Sequence, residues 1–266
     1  MPPMPKLTGR RDLTTRRPES AFRGQISGQG PSTVRQAKPQ RGGFAKTDTL
    51  ANARAQQPSS DPFSGLRDQA LIRAIRGAVL AKKQVIDYPV VRHLIFTLID
   101  NVDGEVECVY TGRKLPGGKI PDDEDMNLEH VWPQSRGAKG EAKRDMHNIL
   151  VADSEANNKR GNTPFGIVKT LLWTKAGSVL GLDADGQECF TPRAQVRGDV
   201  ARCIFYFASV YGFKVDAKEE AALRAWDKAD PVDAHELERN KRIQREQGNP
   251  NYYVLYSQLI DRIGDL

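Results

Sequence analysis

Cysteine is scarce in this chain: Cys108, Cys189 and Cys203 are the only three in 266 residues, and no two form a Cys-x-x-Cys pair. An odd, widely spaced set excludes a disulfide framework and a cysteine-built zinc site. The thiols are expected to be reduced, in or near the core of a protein that folds in a reducing compartment. Long apolar runs are missing as well. No window approaches the roughly 18 consecutive apolar residues of a membrane span, and the first 18 residues carry charges with no apolar stretch behind them. Membrane insertion and a Sec-type signal are therefore not expected, which leaves a cytoplasmic location or delivery by a non-Sec route.

Acidic residues are few at one end only. Residues 1–60 hold 11 basic and three acidic side chains, a net of +8, so the overall +6 leaves −2 for the other 206 residues. The same 60 residues contain seven Pro, six Gly and five Ser, with Phe22 and Phe44 as the only aromatics. Such a segment cannot bury enough surface to offset the entropy of ordering. It reads as a disordered basic leader: a solvated linker, a nonspecific polyanion tether, or a docking and packaging segment. The domain division is thus 1–60 and 61–266.

From Asp61 the pattern becomes globular. Asp61-Pro62 offers a helix start, with Leu66, Leu71, Ile75 and Val79 at near-helical spacing. A second helix is expected after Pro89, and Glu105 to Tyr110 alternates as a half-buried strand with Val106, Cys108 and Tyr110 on one side. Four consecutive acids, Asp122 to Asp125, mark a loop. A short strand around Leu128 to Val131, a basic loop, a second strand at Ile149-Leu150-Val151 and a helix from Ala152 to Arg160 stopping at Gly161 come next. Helices are then expected at about 165–175, 196–213, 218–227 and 233–247.

The strand, loop, strand, helix of 128–160 carries the chemistry. Glu129 and His130 stand at the first strand and Asn157 in the helix. Carboxylate and amide oxygens are the ligands a hard cation such as magnesium accepts, with water filling the other positions. An imidazole beside that ion has an ordinary pKa near 6.5, suited to taking a proton from an attacking water. These are the parts of a one-metal phosphodiesterase. On residue types alone, a strand-end Glu-His pair and a turn-capping Asn explain the same residues.

The longer string is more specific. Glu129-His130-Val131-Trp132-Pro133-Gln134-Ser135, then Asp145-Met146-His147-Asn148-Ile149-Leu150, then Asn157-Asn158-Lys159-Arg160-Gly161-Asn162-Thr163-Pro164-Phe165-Gly166 closely resemble the bacterial endonuclease I family, within the His-Me finger (ββα-metal) nucleases. The likeness continues through Phe190-Thr191-Pro192, Arg197 to Arg202, Asp230-Pro231, Glu238-Arg239-Asn240 and Gln247-Gly248-Asn249, covering roughly 65–255.

The resemblance implies an α+β fold, mainly helical, around a small ββα-metal core. It implies metal-dependent hydrolysis of DNA, double- or single-stranded, and often RNA, with little sequence preference and 5′-phosphate and 3′-hydroxyl products. The cofactor would be one divalent ion, magnesium first, with manganese or calcium as alternatives. Glu129 and Asn157 match the metal ligands and His130 the general base. Arg160 is a candidate for the scissile phosphate or for pairing with an acid at the helix end. Arg197, Arg202 and Asn162 are candidate substrate contacts, one arginine pairing instead with Glu238. His147 and Asn148 read as groups behind the site rather than ligands, and His93 and His235 as structural or solvated. The missing signal peptide, the odd cysteine count and the basic leader depart from many secreted relatives. Two other readings stay open: a catalytically idle nucleic-acid-binding protein with the same fold, and a delivered toxin whose partner is an immunity or inhibitor protein.

Overall fold

The computed structural model describes Pro58 and residues 60–266, so the expected leader falls almost wholly outside the described residues. The first helix, α1 (Asp68–Leu80), buries Leu71, Ile72, Ile75 and Val79, a stripe of i, i+4 and i+8 positions. It begins beyond Asp61, because that carboxylate is otherwise engaged: it accepts from the Phe63 amide at 2.7 Å and from Arg262 near the C-terminus. The second helix, α2 (Tyr88–Leu94), has Pro89 in its first turn, where a missing N–H costs no helical bond. It runs on into a π turn, Ile95–Ile99.

Three short antiparallel strands follow, β1 (Asn101–Val102), β2 (Glu105–Glu107) and β3 (Lys114–Pro116). Asp103 and Gly104 join the first two, both at positive φ, the two-residue hairpin loop that Asp-Gly favours. The strand expected to reach Tyr110 stops at Glu107, since the chain turns over Cys108–Gly112, where the Gly112 amide donates to the Cys108 carbonyl. Val106, Cys108 and Tyr110 are buried all the same.

The expected strand, loop, strand and helix are present. Strands β4 (Met126–His130) and β5 (Ile149–Asp153) pair antiparallel, Glu129 opposite Leu150 and His130 opposite Ile149. The loop between them holds three 3-10 turns, Gln134–Arg136, Ala142–Arg144 and Met146–Asn148. Helix α3 (Ser154–Arg160) follows β5 directly, because Asp153 caps it by accepting from the Glu155 and Ala156 amides.

The helix expected at 165–175 is not there. Instead β6 (Thr170–Lys175), β7 (Ser178–Leu182) and β8 (Glu188–Thr191) form an antiparallel sheet. The apolar residues of 165–175 do fall at helical spacing, but Ile167, Val168, Thr170 and Thr174 are β-branched and stiff at χ1. The ladder with β7 and β8 then decides the conformation.

The remaining helices, α4 (Arg197–Tyr211), α5 (Ala217–Ala229), α6 (Ala234–Gln247) and α7 (Tyr252–Leu255), include the three expected ones with ends shifted by at most two residues. Every residue of α4 from Val200 to Val210 is buried, and α4 packs against α1, α5 and α7 as the spine of the core. The architecture is α+β. All three cysteines are buried and free. No described helix is long and apolar enough to cross a membrane.

Candidate functional site

Strand β4 points alternate side chains to opposite faces, so Asn127 and Glu129 share one face and His130 lies on the other. Glu129 is 3% exposed. Its Oε1 accepts from the Tyr110 hydroxyl at 2.7 Å and pairs with Arg160 at 2.8 Å. Burial pushes the Glu129 carboxyl above the ordinary glutamate range, against the opposing pull of Arg160 and Tyr110. Burial and the adjacent carboxylate keep the Tyr110 phenol protonated well past its usual value.

Asn157 comes to this face from the middle of α3. Its Nδ2 donates to Asn127 Oδ1 at 2.6 Å and, at 3.4 Å, to the Leu128 carbonyl. The amide is thereby oriented, and neither its Oδ1 nor Glu129 Oε2 has a hydrogen-bond partner among the described residues.

His130, at the end of β4, sits with Nε2 at 2.9 Å from the Lys143 carbonyl. A carbonyl only accepts, so Nε2 carries the proton and Nδ1 the lone pair. Burial holds the imidazole below its ordinary pKa, with the Lys143 carbonyl opposing and the Lys143 and Arg160 charges adding to the fall, which favours the neutral ring. The Gln134 amide nitrogen lies 3.3 Å from Nδ1. Tyr88, from the first turn of α2, stacks on the imidazole at 5.9 Å between centroids, and Lys143 Nζ stands 4.5 Å over the Tyr88 ring.

For Arg160 the structure shows the pairing alternative, and for Arg202 a partner other than the expected one. Arg160 is fully buried, its NH1 donating to the His130 carbonyl at 3.1 Å and its NH2 to the Val131 carbonyl at 2.5 Å, while the guanidinium lies over the Phe165 ring. It braces the end of β4 and neutralises Glu129, and it has no free face for a phosphate. Arg202 is likewise fully buried, held by Glu236, Asp227 and Asp199, and it pairs with Glu236 rather than with Glu238. A guanidinium ringed by three carboxylates is committed to the fold.

Arg197 is half-buried, donating from Nε to the Pro192 carbonyl and lying over Trp226. Trp226 in turn meets Phe165, so two rings stand between Arg197 and Arg160. Asn162 is exposed just past α3. Asn148 exchanges two hydrogen bonds with the Trp132 backbone, locking the exit of β4. His147 is buried against Tyr206, with Nε2 at 2.9 Å from the Asn249 carbonyl. His93 and His235 are exposed.

Sequence reasoning missed Tyr110, Asn127, Tyr88 and Gln134. Asn127 had a signal, the period of two from Glu129. Gln134 stood inside the motif string. Tyr110 and Tyr88 reach the site from separate elements, and nothing local marks them.

Among the described residues no group of three His, Cys, Asp or Glu is placed to hold a metal ion. The site instead offers one carboxylate and one amide oxygen, a hard-oxygen pair that fits a largely hydrated divalent cation. A separate cavity of about 430 Å³, lined by Asp100, Asp103, Glu105, Glu107, Arg193 and Arg239 among others, includes none of Glu129, His130 or Asn157. Its surplus of carboxylates disfavours a polyanion.

The sequence model of the Endonuclease I family matches residues 92–257. The chain is 33% identical over 172 residues to an extracellular ribonuclease of Bacillus subtilis (strain 168), covering 57% of each protein. It is 34% identical over 115 residues to a periplasmic deoxyribonuclease of Aeromonas hydrophila, 41% of this chain and 46% of that protein. With an extracellular deoxyribonuclease of Aeromonas hydrophila it shares 30% identity over 164 residues, 53% of this chain and 69% of that one. The chain thus spans about half the length of the first two relatives.

Proposed function

Because the chain belongs to the endonuclease I family, we propose that it is a metal-dependent endonuclease of low sequence preference, acting on DNA and RNA to leave 5′-phosphate and 3′-hydroxyl ends. One observation carries the reading: the His130 ring, next in sequence to Glu129, is committed through Nε2 to the Lys143 carbonyl, so that Nδ1, 3.3 Å from the Gln134 amide nitrogen, carries the lone pair of a base. The neutral ring favoured by burial is the form that accepts a proton. Nδ1 takes the proton of the attacking water, that water's oxygen bonds to phosphorus, and the 3′ oxygen leaves and is protonated from solvent.

Glu129 and Asn157 would hold the divalent cation through Oε2 and Oδ1, which have no hydrogen-bond partner among the described residues. When bound, the ion supplies positive charge against the phosphate. Tyr110 and Arg160 keep Glu129 oriented in its buried position. Lys143, half-exposed above Tyr88, is suited to meet the phosphate backbone, and so is exposed Asn162. Contacts of this kind hold a duplex without reporting its sequence. The ββα-metal class is the reading of β4, β5 and α3 together.

The relatives named extracellular or periplasmic support a site of action outside the cytoplasm. Residues 1–60 would serve that deployment as a tether or delivery segment, and an inhibitor protein would accompany a toxin role. The idle-binder alternative is weaker, because base and oxygen donors are all retained.

The test is cleavage of supercoiled plasmid by the purified chain with magnesium, with excess EDTA, and with His130→Ala. Nicking that EDTA abolishes and that falls by about 10²–10⁴-fold in His130→Ala is expected. Near-wild-type turnover by His130→Ala would remove the base from the scheme.

A further inference from the structure

We propose that Gln134 is the water-positioning residue of this site, its side-chain amide holding the attacking water against His130 Nδ1. The inference rests on the nuclease reading above.

Gln134 opens the 3-10 turn just after Pro133, and the backbone of that turn is heavily anchored. The Trp132 amide and carbonyl are both bonded to Asn148, the Trp132 indole donates to the Arg136 carbonyl, and Arg136 forks onto Glu219. Out of this fixed frame the Gln134 side chain projects to the surface. Its one hydrogen bond among the described residues runs from Nε2 to His130 Nδ1, at 3.3 Å. That atom carries the lone pair on which the proposed chemistry depends. A surface glutamine whose one side-chain hydrogen bond among the described residues is to the base competes with the water for the same lone pair.

The amide resolves the conflict by having two ends. With no substrate, Nε2 donates to Nδ1. A water entering between them gives one hydrogen to Nδ1, and the Gln134 side chain, free to turn at the surface, offers Oε1 for the second. Both hydrogens are then fixed and a lone pair of the water is left to face phosphorus, the orientation in which attack is productive. One O–H bond breaks as its proton passes to Nδ1, and an O–P bond forms as the bond from phosphorus to the 3′ oxygen breaks. Gln134 keeps its own atoms throughout. What the reaction takes from it is an acceptor oxygen at that reach, not charge and not bulk.

The experiment measures kcat and KM of the full chain on duplex DNA with magnesium for the wild type, His130→Ala, Gln134→Met and Gln134→Glu, with circular dichroism to confirm folding. Gln134→Met keeps the length and removes the acceptor. It should lower kcat by about 10²-fold, the order expected for a misplaced reactant, with KM little changed. Gln134→Glu restores an acceptor oxygen and should recover most of kcat, at a higher KM because its charge opposes the phosphate. Wild-type kcat in folded Gln134→Met, with His130→Ala inactive, overturns the water-positioning role alone. A raised KM with unchanged kcat overturns it too, since that marks a ground-state substrate contact. Cleavage insensitive to EDTA, or undiminished in His130→Ala, overturns the nuclease scheme on which it stands.

Discussion

Arg160 separates what a residue is from what it does. Its place in the motif string, three residues past Asn157, was legible, and its type invited a phosphate contact. Its burial was not legible, because the carbonyls of His130 and Val131 that it binds are brought beneath α3 only by the β4–β5 turn-back. The same holds for Tyr110, 19 residues before Glu129 in sequence and 2.7 Å from it in space. By contrast Glu129 and His130 are neighbours in sequence, whereas Asn157 meets β4 only through the β4–β5 pairing and was named from the family resemblance. A buried ion pair that loses one partner strands the other charge, at a cost of about 3–5 kcal/mol. Arg160→Met should therefore lower the unfolding free energy in urea by about that amount, with activity falling alongside as β4 loosens. Full stability with a raised KM would instead return Arg160 to the substrate.

At the scale of elements, the helices were the legible part and the β6–β7–β8 sheet was not. Capped, amphipathic α5 and α6 carry their own boundaries, with Asp216 and Asp233 accepting from the first-turn amides and Gly248 closing α6 at positive φ, while α4, buried along its length, is closed by Gly212 at positive φ. The sheet hid behind an apolar spacing that fits both periods over so short a run. Its informative mark lay just beyond, at Ala176-Gly177, where both residues have positive φ and Lys175 pairs with Ser178. That is a two-residue hairpin loop of the kind Asn-Gly favours. Alanine there bears the left-handed penalty of about 1–2 kcal/mol, which asparagine partly escapes. Ala176→Asn is exposed and should raise the unfolding free energy by about 0.5–1 kcal/mol with cleavage unchanged. No gain in the thermal midpoint would mean the loop is not held in this conformation.

At the scale of the whole molecule, long-range polar ties decide the assembly, and single-sequence patterning does not report them. Arg202 on α4 gathers Asp227 from α5 and Glu236 from α6. Asp145 accepts from Tyr206, Tyr211 and Gln247, tying the loop between β4 and β5 to α4 and α6. His147 belongs to that second tie, with Nε2 donating to the Asn249 carbonyl. Burial pulls its pKa down from 6.5 to about 4, Asp145 and the Asn249 carbonyl opposing, Arg239 and Lys83 adding to the fall. Between those two values the unfolded chain binds a proton that the folded one excludes. The neutral imidazole's contribution is thus complete above about pH 6.5 and is lost as the pH falls toward 4, by up to on the order of 3 kcal/mol. Urea unfolding at pH 7, 5.5 and 4.5 measures it, with His147→Gln as the partner, since glutamine can still donate to Asn249 but does not titrate. The wild type should lose stability across that window more steeply than the variant. Parallel losses would place the acid sensitivity elsewhere, because the ring contact with Tyr206 that the variant loses offsets it equally at every pH, whereas the proton that His147 binds on unfolding changes the slope.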